Sequence, residues 1–443
     1  MARERHEKPA RVALGPRQVG DIRARWAWAE ASIWTDRMLA ALEQGVKGGV
    51  WFSLIDKVQS LTNLGSAFTK VARNRGAAGV DHVTVHDFAK RRDENLRKLR
   101  EQLRAGTLRP QAVRRVLIDK PGSKEKRPLG IPTVRDRVVQ GALRHVLEPI
   151  FEKEFAEHSY GFRPRRGCRD ALRRVDALIR EGYRHTVDLD LRAYFDTIPH
   201  DRLMEVVRTR IADGRVLELI EAYLKAAILD GVTAWEPESG APQGAVLSPL
   251  LSNLYLNDLD HLMAGKGYEM TRYADDMVIQ CPTPEAAERA LALVREWTEE
   301  RGLSLHPTKT CVVDVDVDGF DFLGYRFHKR YRIPRKKSLD KVRVAIRRKT
   351  RRTNGHSLVR IIADVNQTTR GWFGYFKYAH NSAHRRLDQW IRMRLRSILR
   401  KRHHRKGRGR GKDHQRWSNA YFTDRGYFSL EAARASNCQS PPG

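Results

Sequence analysis

The stretch that most constrains this chain is Met270 to Cys281, M-T-R-Y-A-D-D-M-V-I-Q-C, where two adjacent carboxylates interrupt residues that favour extended backbone. Tyr273, Met277, Val278 and Ile279 suit strands, whereas aspartate is depleted from them. Asp275 and Asp276 are therefore expected at the tip of a hairpin. Neighbouring acidic side chains repel one another, and a bound cation relieves that repulsion. Mg2+ is the natural candidate because it takes carboxylate oxygens and substrate phosphates as ligands. A solvated D-D turn is the plain alternative, and this run alone does not decide between them.

A second acidic stretch upstream changes the balance. In Thr186 to Ile198, T-V-D-L-D-L-R-A-Y-F-D-T-I, the apolar Val187, Leu189 and Leu191 alternate with Asp188 and Asp190. That is the period of a half-buried strand with one apolar face, so both aspartates project from the other face. Y-A-D-D combined with D-x-x-x-x-F-D resembles the polymerase palm of reverse transcriptases, and more narrowly the bacterial group II intron-encoded type. The resemblance implies a catalytic and metal-binding triad of Asp190, Asp275 and Asp276. It also implies two Mg2+ ions, with Mn2+ as a substitute, and an α+β right hand: fingers, a palm with an antiparallel sheet, and an α-helical thumb or maturase domain.

Charge supports a polyanionic partner. The 443 residues carry 84 Lys+Arg against 53 Asp+Glu, a formal net charge of +31, which points towards nucleic acid. A histone-like or ribosomal protein shares such a balance but not a clustered carboxylate site. Cys168, Cys281, Cys311 and Cys438 show no C-x-x-C spacing, so neither a zinc site nor a disulfide framework is expected. No apolar run reaches membrane-spanning length and no export signal opens the chain. These features predict no membrane partner and a cytoplasmic location; the resemblance implies a bacterial one, nucleoid-associated when the protein is bound to target DNA.

Taken in order, residues 1–60 are expected to form a basic tail and an N-terminal extension whose tryptophans pack a core, and 61–185 the fingers. Arg114 to Thr133 alternates into a Pro-Gly turn loaded with Lys120, Lys124, Lys126 and Arg127, then returns as a strand. On its own this is a basic hairpin, solvated or gripping phosphate. The resemblance makes it the fingers hairpin, with Arg127 and Lys120 on the incoming nucleotide. S-Y-G-F-R-P, Ser159 to Pro164, is a family marker, and Arg163 is expected on the template backbone, where a phosphate contact positions without reading sequence.

The palm is expected at 186–328. Within it S-G-A-P-Q-G, Ser239 to Gly244, has glycines that let backbone approach a substrate. It is either a turn ahead of a buried helix or, as the resemblance implies, a lining of the nucleotide pocket, with Gln243 beside the dNTP and Phe195 under its ribose. F-D-F-L-G-Y-R-F, Phe320 to Phe327, resembles the hairpin that grips the primer terminus, and Lys309 is a candidate cation for departing pyrophosphate.

Composition changes sharply beyond residue 329. Lys329 to Arg360 holds 14 Lys/Arg against one acid, and Arg385 to Arg416 another 14 against two. Residues 329–405 are expected to be the thumb or maturase domain and 406–443 a basic, DNA-binding-like tail. Arginine-rich helices interleaved with aromatics suit structured RNA, with Arg347, Arg348, Arg351 and Arg352 as candidate contacts. The resemblance, running from about Trp26 to Leu430, implies an RNA-directed DNA polymerase that binds its group II intron RNA, a DNA target or primer, and dNTPs, and lacks the C-terminal endonuclease of some relatives. A domesticated or defence-associated reverse transcriptase, and a splicing-only RNA-binding cofactor, are the alternatives.

Overall fold

The computed structural model describes residues 19–119 and 126–439. Lys120 and Lys124 therefore lie outside the described residues, as does most of the expected N-terminal tail.

The chain opens with short helices whose apolar side chains enter the main core. Trp34 is fully buried, and its indole N–H donates to the His145 carbonyl at 2.9 Å. Helix α1, Leu61–Asn74, packs on α2, Val134–Glu152, which is buried along most of its length. Between them the strands β1, Val113–Asp119, and β2, Lys126–Ile131, form an antiparallel ribbon with Arg114 opposite Ile131 and Ile118 opposite Arg127. Helix α3, Cys168–Arg180, then leads into β3, His185–Asp190.

A short ribbon, β4, Ile228–Asp230, and β5, Thr233–Trp235, extends the β1–β2 sheet in the order β2-β1-β4-β5. After helix α4, Ser248–Gly265, come β6, Glu269–Tyr273, and β7, Asp276–Cys281, then helix α5, Pro284–Glu300, and β8, Cys311–Asp314. These strands form the central antiparallel sheet, β6-β7-β3-β8. The alternation of β3 is realised as expected: Val187 and Leu189, with Met277 and Ile279 opposite them, enter the main core. Asp188, Asp190, Asp276 and Val278 share the other face, which a second apolar cluster covers at one end through Val278. Strands β9, Phe320–Phe322, β10, Tyr325–His328, and β11, Tyr331–Pro334, form a separate antiparallel sheet beside it.

The remainder is helical: α6, Lys336–Lys349, α7, Leu358–Phe376, α8, Asn381–Arg402, and α9, Leu430–Gln439, with short helices before the last. Described residues beyond 405, expected as a tail, are part of this helical core. Trp417, Phe422, Tyr427 and Leu430 are buried in one cluster with Ile346, Ile361 and Ile391. Asp388, fully buried on α8, accepts from the Tyr427 hydroxyl at 2.7 Å, the Ser429 hydroxyl at 2.9 Å and the Leu430 and Glu431 amides at 3.2 and 3.0 Å. It thereby satisfies the otherwise unpaired first N–H groups of α9. A basic composition had masked an aromatic period that buries.

Candidate active site

The central hairpin turns on two residues, Ala274 and Asp275, between Tyr273 and its cross-strand partner Asp276. Ala274 takes φ +58°, in the left-handed region that tight two-residue turns require. Asp276 is paired in turn with Asp190 on β3, so the two carboxylates stand side by side across the ladder with Asp275 at the tip. The structure thus brings the three expected aspartates to one end of one sheet.

The hairpin is braced from behind by residues drawn from separate motifs. Arg272 is fully buried; its Nε donates to both Asp260 oxygens, at 2.8 and 2.9 Å, and its Nη1 to Asn253 Oδ1 at 2.9 Å and to the Ala274 carbonyl at 3.1 Å. Asn253 in turn donates to the Gly161 carbonyl at 2.7 Å, and the Tyr160 amide donates to the Arg272 carbonyl at 2.8 Å. A Cβ on Gly161 would lie 2.2 Å from the Ala274 nitrogen, which is why only glycine fits where S-Y-G-F docks on the turn.

Electrostatically the site is loaded with negative charge. Burial, joined by Asp276, Asp321 and Asp190, pushes the Asp188 carboxyl up to about 7. Burial also pushes Asp276 up to about 6, opposed by the Leu323 amide and reinforced by Asp275. Asp275 is raised by burial and eased by Arg127. Asp190 is paired with Lys309, whose Nζ lies 2.8 Å from Oδ2, and both side chains are well exposed. Lys309 is thus placed on a candidate ligand, and Asp188 and Asp321 are members of the cluster beyond the expected triad. Asp188 was signalled by its alternation with Asp190; Asp321 had no such signal, because it comes from a different sheet.

Among the described residues no three His, Cys, Asp or Glu side chains already converge as a metal-ligand set. The donor chemistry fits a hard divalent cation all the same. Asp190, Asp275 and Asp276 are all carboxylates on adjacent or cross-strand positions, and a bound cation would offset their mutual repulsion.

The expected nucleotide contacts divide between two cavities. Phe195 and Gln243 line one of about 270 Å3, together with Trp235, Arg115 and the S-G-A-P segment. The P-Q-G turn closes it: the Ala241 amide donates to the Phe195 carbonyl at 2.7 Å and the Gly130 amide to the Gln243 carbonyl at 2.6 Å. Gly244 holds φ +107°, and a Cβ there would lie 2.4 Å from the Gly130 carbonyl oxygen. Arg127 lines a second cavity of about 380 Å3 facing Arg335, Lys337 and Lys341 at the start of the helical unit.

Arg163 is a correction. It is buried, donates from Nε to both Glu152 oxygens at 3.1 Å and from Nη1 to the Ala156 and Ser159 carbonyls at 2.5 and 2.8 Å, and lies over Phe155. Its donors are spent on tying S-Y-G-F-R to α2, so it does not reach a template. Arg347, Arg348, Arg351 and Arg352, by contrast, are all exposed. Arg347 lies over Trp390, as do Arg343 and Arg394.

Residues 118–327 match the family "Reverse transcriptase (RNA-dependent DNA polymerase)", and residues 339–417 match "Group II intron, maturase-specific domain". The chain is 38% identical over 226 residues to the group II intron-encoded protein LtrA of Lactococcus lactis subsp. cremoris, covering 50% of this chain and 36% of that one. It is 32% identical over 342 residues to protein YkfC of Escherichia coli K12, covering 68% of this chain and 86% of YkfC. Among solved structures it is similar to telomerase from Candida albicans, at 12% identity and a TM-score of 0.41, covering 71% of this chain and 64% of that one. No described helix is long and apolar enough to cross a membrane.

Proposed function

This chain belongs to the family of group II intron-encoded reverse transcriptases and maturases, and from that premise we propose that it copies RNA into DNA and binds intron RNA to assist splicing. The observation that carries the polymerase reading is the cross-strand pairing of Asp190 with Asp276, with Asp275 at the turn between them and β6. Asp190, Asp275 and Asp276 are the residues that would hold two Mg2+ ions, or Mn2+ in their place. When bound, these ions lower the pKa of a primer 3′-hydroxyl and stabilise charge on a leaving pyrophosphate.

The protein's own contribution is placement. Rigid bracing by Arg272 and Asn253 fixes the hairpin tip, and fixed charges cost little reorganisation as the reaction proceeds. Arg127, whose field reaches Asp275, supplies positive charge to the triphosphate of a dNTP. Lys120 is assigned the same role from the sequence. Phe195 and Gln243 form the wall towards the sugar. Lys309, whose Nζ lies 2.8 Å from Asp190 Oδ2, would offer its ammonium to a departing pyrophosphate. The exposed arginines of α6 and the segment after it take the RNA backbone, with a DNA primer running towards the β9–β10 hairpin.

Asp275→Ala and Asp276→Ala are each expected to abolish primer extension on an RNA template while leaving intron RNA affinity close to wild type. Parallel loss of both activities, or extension surviving either change, contradicts this assignment.

A further inference from the structure

The helical unit meets the carboxylate cluster at the turn Leu323–Gly324, between β9 and β10. Both residues hold positive φ, 45° at Leu323 and 81° at Gly324. For a leucine that conformation is strained and persists only where the surroundings hold it. Here they do so on both sides. The Tyr375 hydroxyl, near the end of α7, donates to the Leu323 carbonyl at 2.7 Å. The Gly324 carbonyl accepts from the Arg335 amide at 3.0 Å and from the Ser338 hydroxyl, in the first turn of α6, at 3.2 Å. On the opposite side of the same turn the Leu323 amide points at Asp276 Oδ2, 3.4 Å away.

Two further contacts fix Tyr375 itself. Its carbonyl accepts from the Tyr325 hydroxyl at 2.7 Å, and its ring lies 3.8 Å from the position a Cβ on Gly324 would take. The contact to Asp276 is long for a hydrogen bond, and such interactions weaken steeply with further separation. A small outward movement of the turn therefore abolishes it. The position of α7 is in this way written onto the orientation of one carboxylate.

We propose that Tyr375 and Ser338 are positioning residues for polymerisation: by holding both carbonyls of the Leu323–Gly324 turn they keep the Leu323 amide on Asp276 and set that carboxylate's orientation from the helical unit. The proposal rests on the assignment of Asp276 to the polymerase site. It also gives RNA bound to the helical unit a physical route to the rate of chemistry, through this turn.

The test uses the full chain. Tyr375→Phe keeps the ring and its packing and removes only the donor; Ser338→Ala removes the second side-chain donor. Single-turnover primer extension, primer–template affinity, thermal stability and amide hydrogen exchange over residues 320–327 are measured for each variant and for both together. Tyr375→Phe is expected to slow extension about fivefold, the factor that loss of one net hydrogen bond corresponds to, with KM for dNTP and primer–template affinity unchanged and Tm lower by no more than about 1–2 °C, as loss of one hydrogen bond gives in a chain of this length. Exchange at the turn is expected to quicken, and the double variant to fall short of the product of the two single effects because both donors hold one turn. A wild-type rate and wild-type exchange in both Tyr375→Phe and the double variant overturn the proposal, as does a loss of rate matched by equal losses in primer–template affinity and Tm. If the unsubstituted protein does not extend primers at all, the polymerase assignment fails instead, and quickened exchange in the variants still reports the clasp.

Discussion

At the scale of single residues, the carboxylate cluster is a place where the folded chain works against its own charge. In the unfolded chain Asp188 and Asp276 titrate near 4, roughly the ordinary aspartate value; folded, they are pushed up to about 7 and about 6, chiefly by burial and then by neighbouring carboxylates. Between those limits the native state keeps protons that the unfolded state has released, so stability falls as pH rises through that window. Asp188→Asn removes one of these charges without changing shape. In the absence of divalent cations its Tm is expected to match wild type near pH 4 and to exceed it increasingly up to about pH 7, levelling off above; each kcal/mol relieved raises Tm by roughly 1 °C in a chain of this length. Calorimetry across that range in the presence of chelator decides it, and a Tm difference that is flat or reversed with pH refutes the placement of Asp188 inside the cluster. The alternation of T-V-D-L-D-L already put Asp188 on the face of Asp190. What it could not show was how much of that face is covered, since the covering side chains come from β9, β10 and α7.

At the scale of elements, the two acidic strands and the hairpin between Tyr273 and Asp276 were legible because alternation and turn chemistry are local. The brace behind them was not. Arg163 and Arg272 look in the sequence like any other cations of a basic chain, and its place in the S-Y-G-F-R-P marker makes Arg163 an expected template contact. In the fold each is buried against a carboxylate, Glu152 for one and Asp260 for the other. Sequence reports charge; only packing reports which charges are already satisfied. Glycine carries a similar lesson. Gly161 marks a family motif, and the structure supplies its reason, a backbone approach to Ala274 that leaves no space for a side chain. Gly161→Ala must therefore push the Ala274–Asp275 turn outward, and a displacement of about 1 Å at a reacting centre costs roughly 10²-fold in rate. Extension is expected to fall by about that factor while primer–template binding is retained. A variant that extends at the wild-type rate would show that the turn has more room than the fold allows it.

At the scale of the whole molecule, charge and carboxylates are segregated. The acidic cluster sits on the central sheet, while the two blocks with 14 Lys/Arg each lie beyond residue 329. That asymmetry was legible in composition, but its architecture was not: α8, α9 and the residues between them share one core, held at its centre by Asp388. The basic residues thus decorate one packed helical core, and an array of cations carried on such a core can meet a structured polyanion at several phosphates at once. Arg347 and Arg348 end α6, and Arg351 and Arg352 follow it, all exposed. Binding by such residues releases counterions, so log K falls linearly with log salt at about 0.7 per phosphate neutralised on a single strand. If each of the four meets a phosphate, replacing all four by glutamine lowers the magnitude of that slope by up to about 3. Because none of them is buried, Tm should hold and the carboxylate site should be untouched, so extension of a saturating short primer–template at low salt is expected to persist. The measurement is intron RNA affinity at a series of salt concentrations for the wild type and the quadruple variant. An unchanged slope would mean that RNA is held elsewhere on the helical unit, for example around Trp390, where Arg343 and Arg394 remain in the variant.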